Sequence, residues 1–365
     1  MKKIIGATAL AGVVALAAAC GEAPEEATGT DAGAGGGETS AAAAEDFTAC
    51  MVTDAGGADD RSFNQSAYEG LTALEESAGI EVTLLESSSE ADYGPNLAQT
   101  TSQDCGITVT VGFLLAGATA EAAQANPDQQ FALVDSTTEP PLENVKPLLF
   151  DTAQASYLAG YLAAGTTRTG TVATFGGVNI PTVTVFMDGF ADGVAAYNQA
   201  RGADVRVLGW DKAAQDGSFT GDFENQANGQ ALTEQFIQQG ADVVMPVAGP
   251  VGLGAAAAAQ ANGSTRVIWV DTDGYESASQ YAPLFLSSVV KEIDQAVTDV
   301  TTAAVEGEFS ADPYVGTLEN GGVGLAPYHD FEDDVPQQLK DEIDALRERI
   351  ASGELVVESP STPTS

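Results

Sequence analysis

FTACMVTDAGGADDRSFNQSAYEGLTALEESAGIEVTLL, residues 47–85, reads as strand, loop, helix and strand in that order. Phe47 to Thr53 is an apolar run of strand length. Gly56 and Gly57 allow a loop, Tyr68, Leu71 and Leu74 fall at helical spacing within 66–77, and Ile80 to Leu85 is apolar again. Strand–helix–strand repetition is the signature of a parallel sheet covered by helices.

The pattern continues outward from this unit. A helix is expected from about Asp92 to Gln103, a strand from Ile107 to Phe113, a helix from Ala116 to Gln124 and a strand from Phe131 to Val134. It then restarts, with strands expected at 171–175, 205–209, 241–247 and 266–270 and helices at 156–164, 182–198, 228–239 and 254–262. Leu284 to Val300 reads as one long helix, Tyr314 to Glu319 as a strand and Pro336 to Ser352 as a final amphipathic helix. Two doubly wound α/β domains account for this, since roughly 320 residues exceed what one core usually serves. The C-terminal elements are too few for a third domain, so the chain is expected to cross between lobes three times.

The N-terminal segment gives an address. Lys2 and Lys3 precede an uncharged run from Ile4 to Ala19, shorter than a membrane span of about 20 residues but suited to a signal peptide. Ala17, Ala18 and Ala19 lead directly to Cys20, the arrangement of a lipobox, although Leu16 stands four positions before the cysteine and not the usual three. Residues 1–19 are therefore read as a signal peptide, with simple secretion as the alternative to lipidation of Cys20. Residues 20–45 contain no aromatic and no basic residue, which predicts a tether.

With 13 Lys and Arg against 53 Asp and Glu, the formal charge of −40 repels phosphate backbones and excludes a nucleic-acid role. It fits a saline setting in which salt screens the self-repulsion. Cys50 and Cys105 flank strand-like runs in the first domain, and export permits a disulfide between them, two separate buried thiols being the alternative.

In parallel α/β sheets, ligands bind beyond the carboxyl ends of strands. Asp54, Asp135, Gly249 and Asp271 each follow an apolar run. Taken singly they could be caps or turn residues; as a set in a regular frame they predict a common cleft. Ser62 or Asn64 is expected to cap the helix beginning near Ser66. Phe63, isolated among polar loop residues, is either a lid over a flat ligand or a plug for the loop. Lys291 lies in the apolar stretch LFLSSVVKEIDQAV, pointing either to solvent or into a site with Asp271.

Catalytic signatures are missing: His329 is the single histidine, and no HExxH, GxSxG or phosphate-loop lysine occurs. GPVGLG at 249–254 lacks dinucleotide spacing and VDTDG at 270–274 is too short for a calcium loop, so no cofactor and no metal is expected. A carboxylate-based hydrolase is the enzymatic alternative.

VTDAGGADDRSFNQSAYEG at 52–70, VGFLLAGA at 111–118, FGGVNIPTVTVFMDGFADGV at 175–194, GADVVMPVAGPVGLG at 240–254, SSVVKEIDQAV at 287–297 and GGVGLAPYHDF at 321–331 together resemble the BMP family. These are the basic membrane lipoproteins, the PnrA-like substrate-binding proteins of ABC transporters, and the likeness spans essentially 46–358. It implies a type I periplasmic-binding-protein fold, two Rossmann-like domains on a three-stranded hinge, and a small-molecule ligand, often a nucleoside, passed to an ABC permease and its ATPase. On this basis 46–151 plus about 275–302 would form the N-terminal lobe, 152–274 plus about 303–358 the C-terminal lobe, and 359–365 a tail. The resemblance places Asp54 and the Phe63–Asn64 pair in a ligand loop, with the phenyl ring stacking on a base. It puts Asp135 at the base or sugar, Asp271 and Lys291 on ribose hydroxyls, and the Gly249 backbone on the opposite wall. One departure is local. Where the family often has Phe-x-Asp-Pro, this chain reads Phe223-Glu224-Asn225-Gln226, leaving Phe219, Phe223 or Trp210 as the second aromatic wall. Another small polar ligand is the alternative to a nucleoside.

Overall fold

The computed structural model describes residues 46–363. The signal peptide, Cys20 and the tether lie outside the described residues.

The first sheet is built from β1 (Thr48–Thr53), β2 (Glu81–Leu85), β3 (Ile107–Val111), β4 (Gln130–Val134) and β5 (Val145–Phe150), with α1 (Phe63–Ala78), α2 (Glu90–Ser102) and α3 (Ala116–Ala125) between the first four strands. The chain crosses to a second sheet through α4 (Thr152–Thr166), then runs β6 (Thr171–Gly176), α5 (Pro181–Arg201) and β7 (Arg206–Leu208). A small hairpin, β8 (Trp210–Asp211) and β9 (Asp216–Gly217), precedes α6 (Gln226–Gln238), β10 (Val243–Val247), α7 (Val251–Asn262), β11 (Arg266–Asp271), the short α8 (Gly274–Ser277) and β12 (Phe285–Lys291). The end of the chain alternates: α9 (Ile293–Val305) and β13 (Tyr314–Gly316), then β14 (Val323–Leu325) and α10 (Gln337–Ala351).

Strand order is β13-β5-β4-β3-β1-β2 in the first sheet and β14-β12-β11-β10-β6-β7 in the second. The ladders are parallel except for β14, which runs antiparallel to β12. The chain passes between the sheets after β5, after β12 and between β13 and β14, giving the three-crossover α/β architecture expected. Strands such as β1 and β3 read as unbroken apolar or β-branched runs because both faces are covered.

The C-terminal segments depart from expectation. Phe285 to Lys291 is not the start of a helix but a strand of the second sheet, and the helix begins only at Ile293. A fully buried apolar run fits either element, and Ser287, Ser288, Val289 and Val290 pack as a central strand here. The lobe boundaries move with it. The return segment on the first lobe comprises α9, packed on α1, and β13 beside β5, whereas residues 274–291 belong with the second sheet. Strand β5, between β13 and β4, and the edge strand β14 had no counterpart in the sequence reading.

Inside the second lobe α4 and α5 cross in close contact. A Cβ on Gly160 would lie 2.0 Å from the Phe190 carbonyl oxygen, and one on Gly193 would lie 2.0 Å from that of Tyr157. These glycines let the backbones meet, fixing α5 so that its first turn, opened by Pro181, faces the cleft. In the first lobe Cys50 and Cys105 form a disulfide with a Cα–Cα distance of 5.9 Å, tying β1 to the segment that leads into β3.

Candidate functional site

The carboxyl ends of β1, β4, β10, β11 and β12 converge on one cavity between the sheets. Asp54, Phe63, Asn64, Asp135, Gly249, Asp271, Lys291 and Phe223 all line it.

Its polar end is organised by Lys291, the last residue of β12. The ammonium lies 2.5 Å from Asp135 Oδ2 and 3.3 Å from Asp271 Oδ1, so it links the end of a first-sheet strand to the end of a second-sheet strand. Only 3% of the lysine side chain is exposed. Burial opposes its charge, but the two carboxylates outweigh that and hold it above its ordinary value. Burial pushes the Asp135 carboxyl up, and the ammonium opposes the rise. The rings of Phe63 and Phe186 stand 4.8 and 5.1 Å from Nζ, adding cation–π attraction. Asp135 and Asp271 have φ of 62° and 69°, a left-handed conformation that Asp tolerates better than most residues. Such strain clusters at functional positions.

Two further acids, Asp54 and Asp60, line the cavity. Asp54 accepts the Ala55 N–H at 2.6 Å, yet burial, with the neighbouring charges of Asp60 and Asp135, pushes its carboxyl up to about 7. The carboxylate fits only because residue 112 is glycine: a Cβ there would stand 1.8 Å from Asp54 Oδ2. Asn64 is 1% exposed. Its amide nitrogen donates to the Ala55 carbonyl at 2.9 Å, while its Oδ1 is buried without a partner. A buried acceptor left free in a cavity wall marks a place for a ligand donor.

Asp60 was not foreseen. It accepts the backbone N–H groups of Ser62, Asn64 and Gln65 at 2.9, 2.8 and 3.0 Å and so caps α1, the role expected of Ser62 or Asn64. Burial raises Asp60 to about 6. Ser62 turns instead to the other lobe and donates to Asp271 Oδ2 at 2.7 Å. Next to it the Arg61 carbonyl, on a residue with φ of 61°, accepts from Trp269 Nε1, Thr272 Oγ1 and Ser277 Oγ at 3.1, 3.2 and 2.9 Å. The loop after β1 is thus fastened across the cleft.

The apolar walls come from Phe63, Phe113, Ile180, Val183, Phe186 and Phe223. Phe219 does not join them. It packs under Gly176 and edge-on to Trp210, with ring centroids 6.1 Å apart, and Trp210 is buried with its indole N–H on Asp188. Gly249 lines the cavity with φ of 49°.

A family model described as ABC transporter substrate-binding protein PnrA-like (Bmp) matches residues 47–360. The chain belongs to this family. The chain is 32% identical over 331 residues to a CD4+ T-cell-stimulating antigen of Listeria monocytogenes, covering 86% of this chain and 88% of that one. It is 32% identical over 339 residues to the ABC transporter nucleoside-binding protein BmpA of Lactococcus lactis, covering 88% and 92%. Among solved structures, an ABC transporter solute-binding protein of Aeropyrum pernix aligns with a TM-score of 0.78 and 27% identity, covering 87% of this chain and 94% of that one. The polar and aromatic residues just described converge in the cleft between the two sheets.

Proposed function

We propose that this chain is the extracytoplasmic binding component of an ABC importer and that it binds a nucleoside, a purine in particular, by closing its two lobes. The observation that carries the reading is one cavity lined both by the aromatic rings of Phe63, Phe113, Phe186 and Phe223 and by the Asp135–Lys291–Asp271 cluster. Aromatic rings in the wall suit a flat base, and the cluster offers both donors and acceptors to sugar hydroxyls. The free Oδ1 of Asn64 and the Asp54 carboxylate would accept base N–H groups. The nucleoside-binding relative from Lactococcus lactis supports the same class of ligand. Contacts from both lobes favour the closed form, which the permease would read. Anchoring would follow from lipidation of Cys20; an unmodified Cys20 in the mature protein isolated from its membrane would exclude that anchor.

Calorimetry against purine and pyrimidine nucleosides is the test. Phe63→Ala is expected to weaken the bound member by about 1–3 kcal/mol, the usual worth of base–aromatic stacking. Normal affinity in the variant, or no binding across the panel, overturns the reading. Recovery of the nucleoside unchanged after incubation separates binding from hydrolysis, and released free base would indicate an enzyme.

The Asp54 carboxyl gives a pH signature. A ligand N–H stabilises the ionised form and lowers the pKa in the complex, so affinity should rise with pH until about 7 and level above it. Below that point the loss approaches tenfold per pH unit, with proton release on binding detectable by calorimetry in buffers of different ionisation enthalpy. Asp54→Asn should flatten the profile; an unchanged slope would place the titration elsewhere.

A further inference from the structure

Behind the Asp135–Lys291 pair lies a second chamber of about 290 Å³. It shares Phe113, Asp135, Thr182 and Lys291 with the first cavity, so the polar end of one is a wall of the other. Its own lining adds Ser136, Thr137 and Thr152. Thr152 is fully buried and its Oγ1 has no hydrogen-bond partner. The outer wall is a strap from the end of the chain, in which Pro360, Ser361, Thr362 and Pro363 face the chamber.

The strap is fastened at its root. Ser359 Oγ donates to Asp188 Oδ2 at 2.6 Å, the Ser361 and Thr184 hydroxyls are 2.7 Å apart, and the Glu358 carbonyl accepts from the Lys212 ammonium. Asp188 is fully buried on α5 and also accepts from Trp210 Nε1 and Gln215 Nε2, each at 2.9 Å. One carboxylate therefore pins the strap and the β8–β9 hairpin to the helix whose first turn lines both cavities.

We propose that this chamber is a second compartment of the binding site, walled by residues 358–363, and that it takes a hydroxyl-rich extension of the ligand held in the cleft. The inference rests on the nucleoside reading for the orientation of that ligand. With the base between the aromatic walls, the sugar end meets Asp135 and Lys291, and a substituent beyond it continues into the chamber. The unpartnered Thr152 hydroxyl and its neighbours would receive it.

The experiment compares a nucleoside with the same nucleoside carrying a short polyol or sugar on its 5′ oxygen, by calorimetry on the full chain. The extended ligand is expected to bind within threefold of the parent or more tightly. Thr152→Val, and separately Ser359→Ala with Ser361→Ala, should weaken the extended ligand at least tenfold and the parent less than threefold. Rejection of the extended ligand by a hundredfold, or equal loss of both ligands in the variants, overturns the compartment. Should the parent not bind at all, the nucleoside reading fails on its own. The chamber is then judged by free pentitols and disaccharides: a saturable melting shift abolished by Thr152→Val supports it, and no such shift overturns it.

Discussion

Lys291→Met is expected to abolish ligand binding and to destabilise the protein by about 3–5 kcal/mol, the cost of breaking a buried ion pair. Among the described residues the ammonium is the only cation against Asp135 and Asp271 in the cavity, and both acids are nearly as buried as the lysine. Removing it leaves two carboxylates facing each other in a medium that solvates neither. They would then take up a proton, so the stability loss should shrink as pH falls. Replacing the acid as well separates the two roles: Lys291→Met with Asp135→Asn should regain much of the stability without regaining affinity. Denaturant unfolding at two pH values, alongside calorimetry, reads both. A Lys291→Met protein that binds its ligand normally would show that the pair is structural packing and not part of the site.

Gly112→Ala is the second change expected to have a large effect, although glycine to alanine adds one methyl group. At φ of 120° any side chain is strained, and the new Cβ would overlap the Asp54 carboxylate, with Oδ2 at 1.8 Å and Cγ at 2.2 Å. Either the carboxylate swings away or the end of β3 moves, and overpacking of this kind costs typically about 1–3 kcal/mol. Binding should fall to the level of Asp54→Ala, on the order of tenfold to a hundredfold for a lost charge-assisted hydrogen bond. The double variant should be no worse than either single one. Additive losses would mean that Gly112 acts on the ligand by another route.

The site was legible in the sequence wherever chemistry coincided with pattern. Asp54, Asp135 and Asp271 could be found because an acid directly after an apolar run in a β-α frame has few places to go but a strand end. Lys291 was noticed for its setting, but its element was misread, since FLSSVVK carries no period that separates a buried strand from a buried helix. Asp60 was invisible for a different reason: in GGADDRS an acid looks like any solvated loop residue, and only the folded loop turns it onto three N–H groups. Phe186 and Ile180 were hidden because a helix with apolar residues four apart reads as core, and nothing local reveals that its first turn borders a cleft. Phe219 and Phe223 sit four apart in a loop, and the choice between them depends on Trp210 and Gly176, which are brought there by the second sheet.

The three hydrogen bonds that hold the Arg61 carbonyl have an optical consequence. One donor is the indole of Trp269, one of two tryptophans in the chain. Opening of the cleft, as proposed, would take from that indole an acceptor supplied by the opposite lobe. Trp210 spends its N–H within its own lobe, on Asp188, and keeps its surroundings. The proposed closure would therefore have a native emission probe, with one fluorophore reporting the motion and the other supplying a steady background.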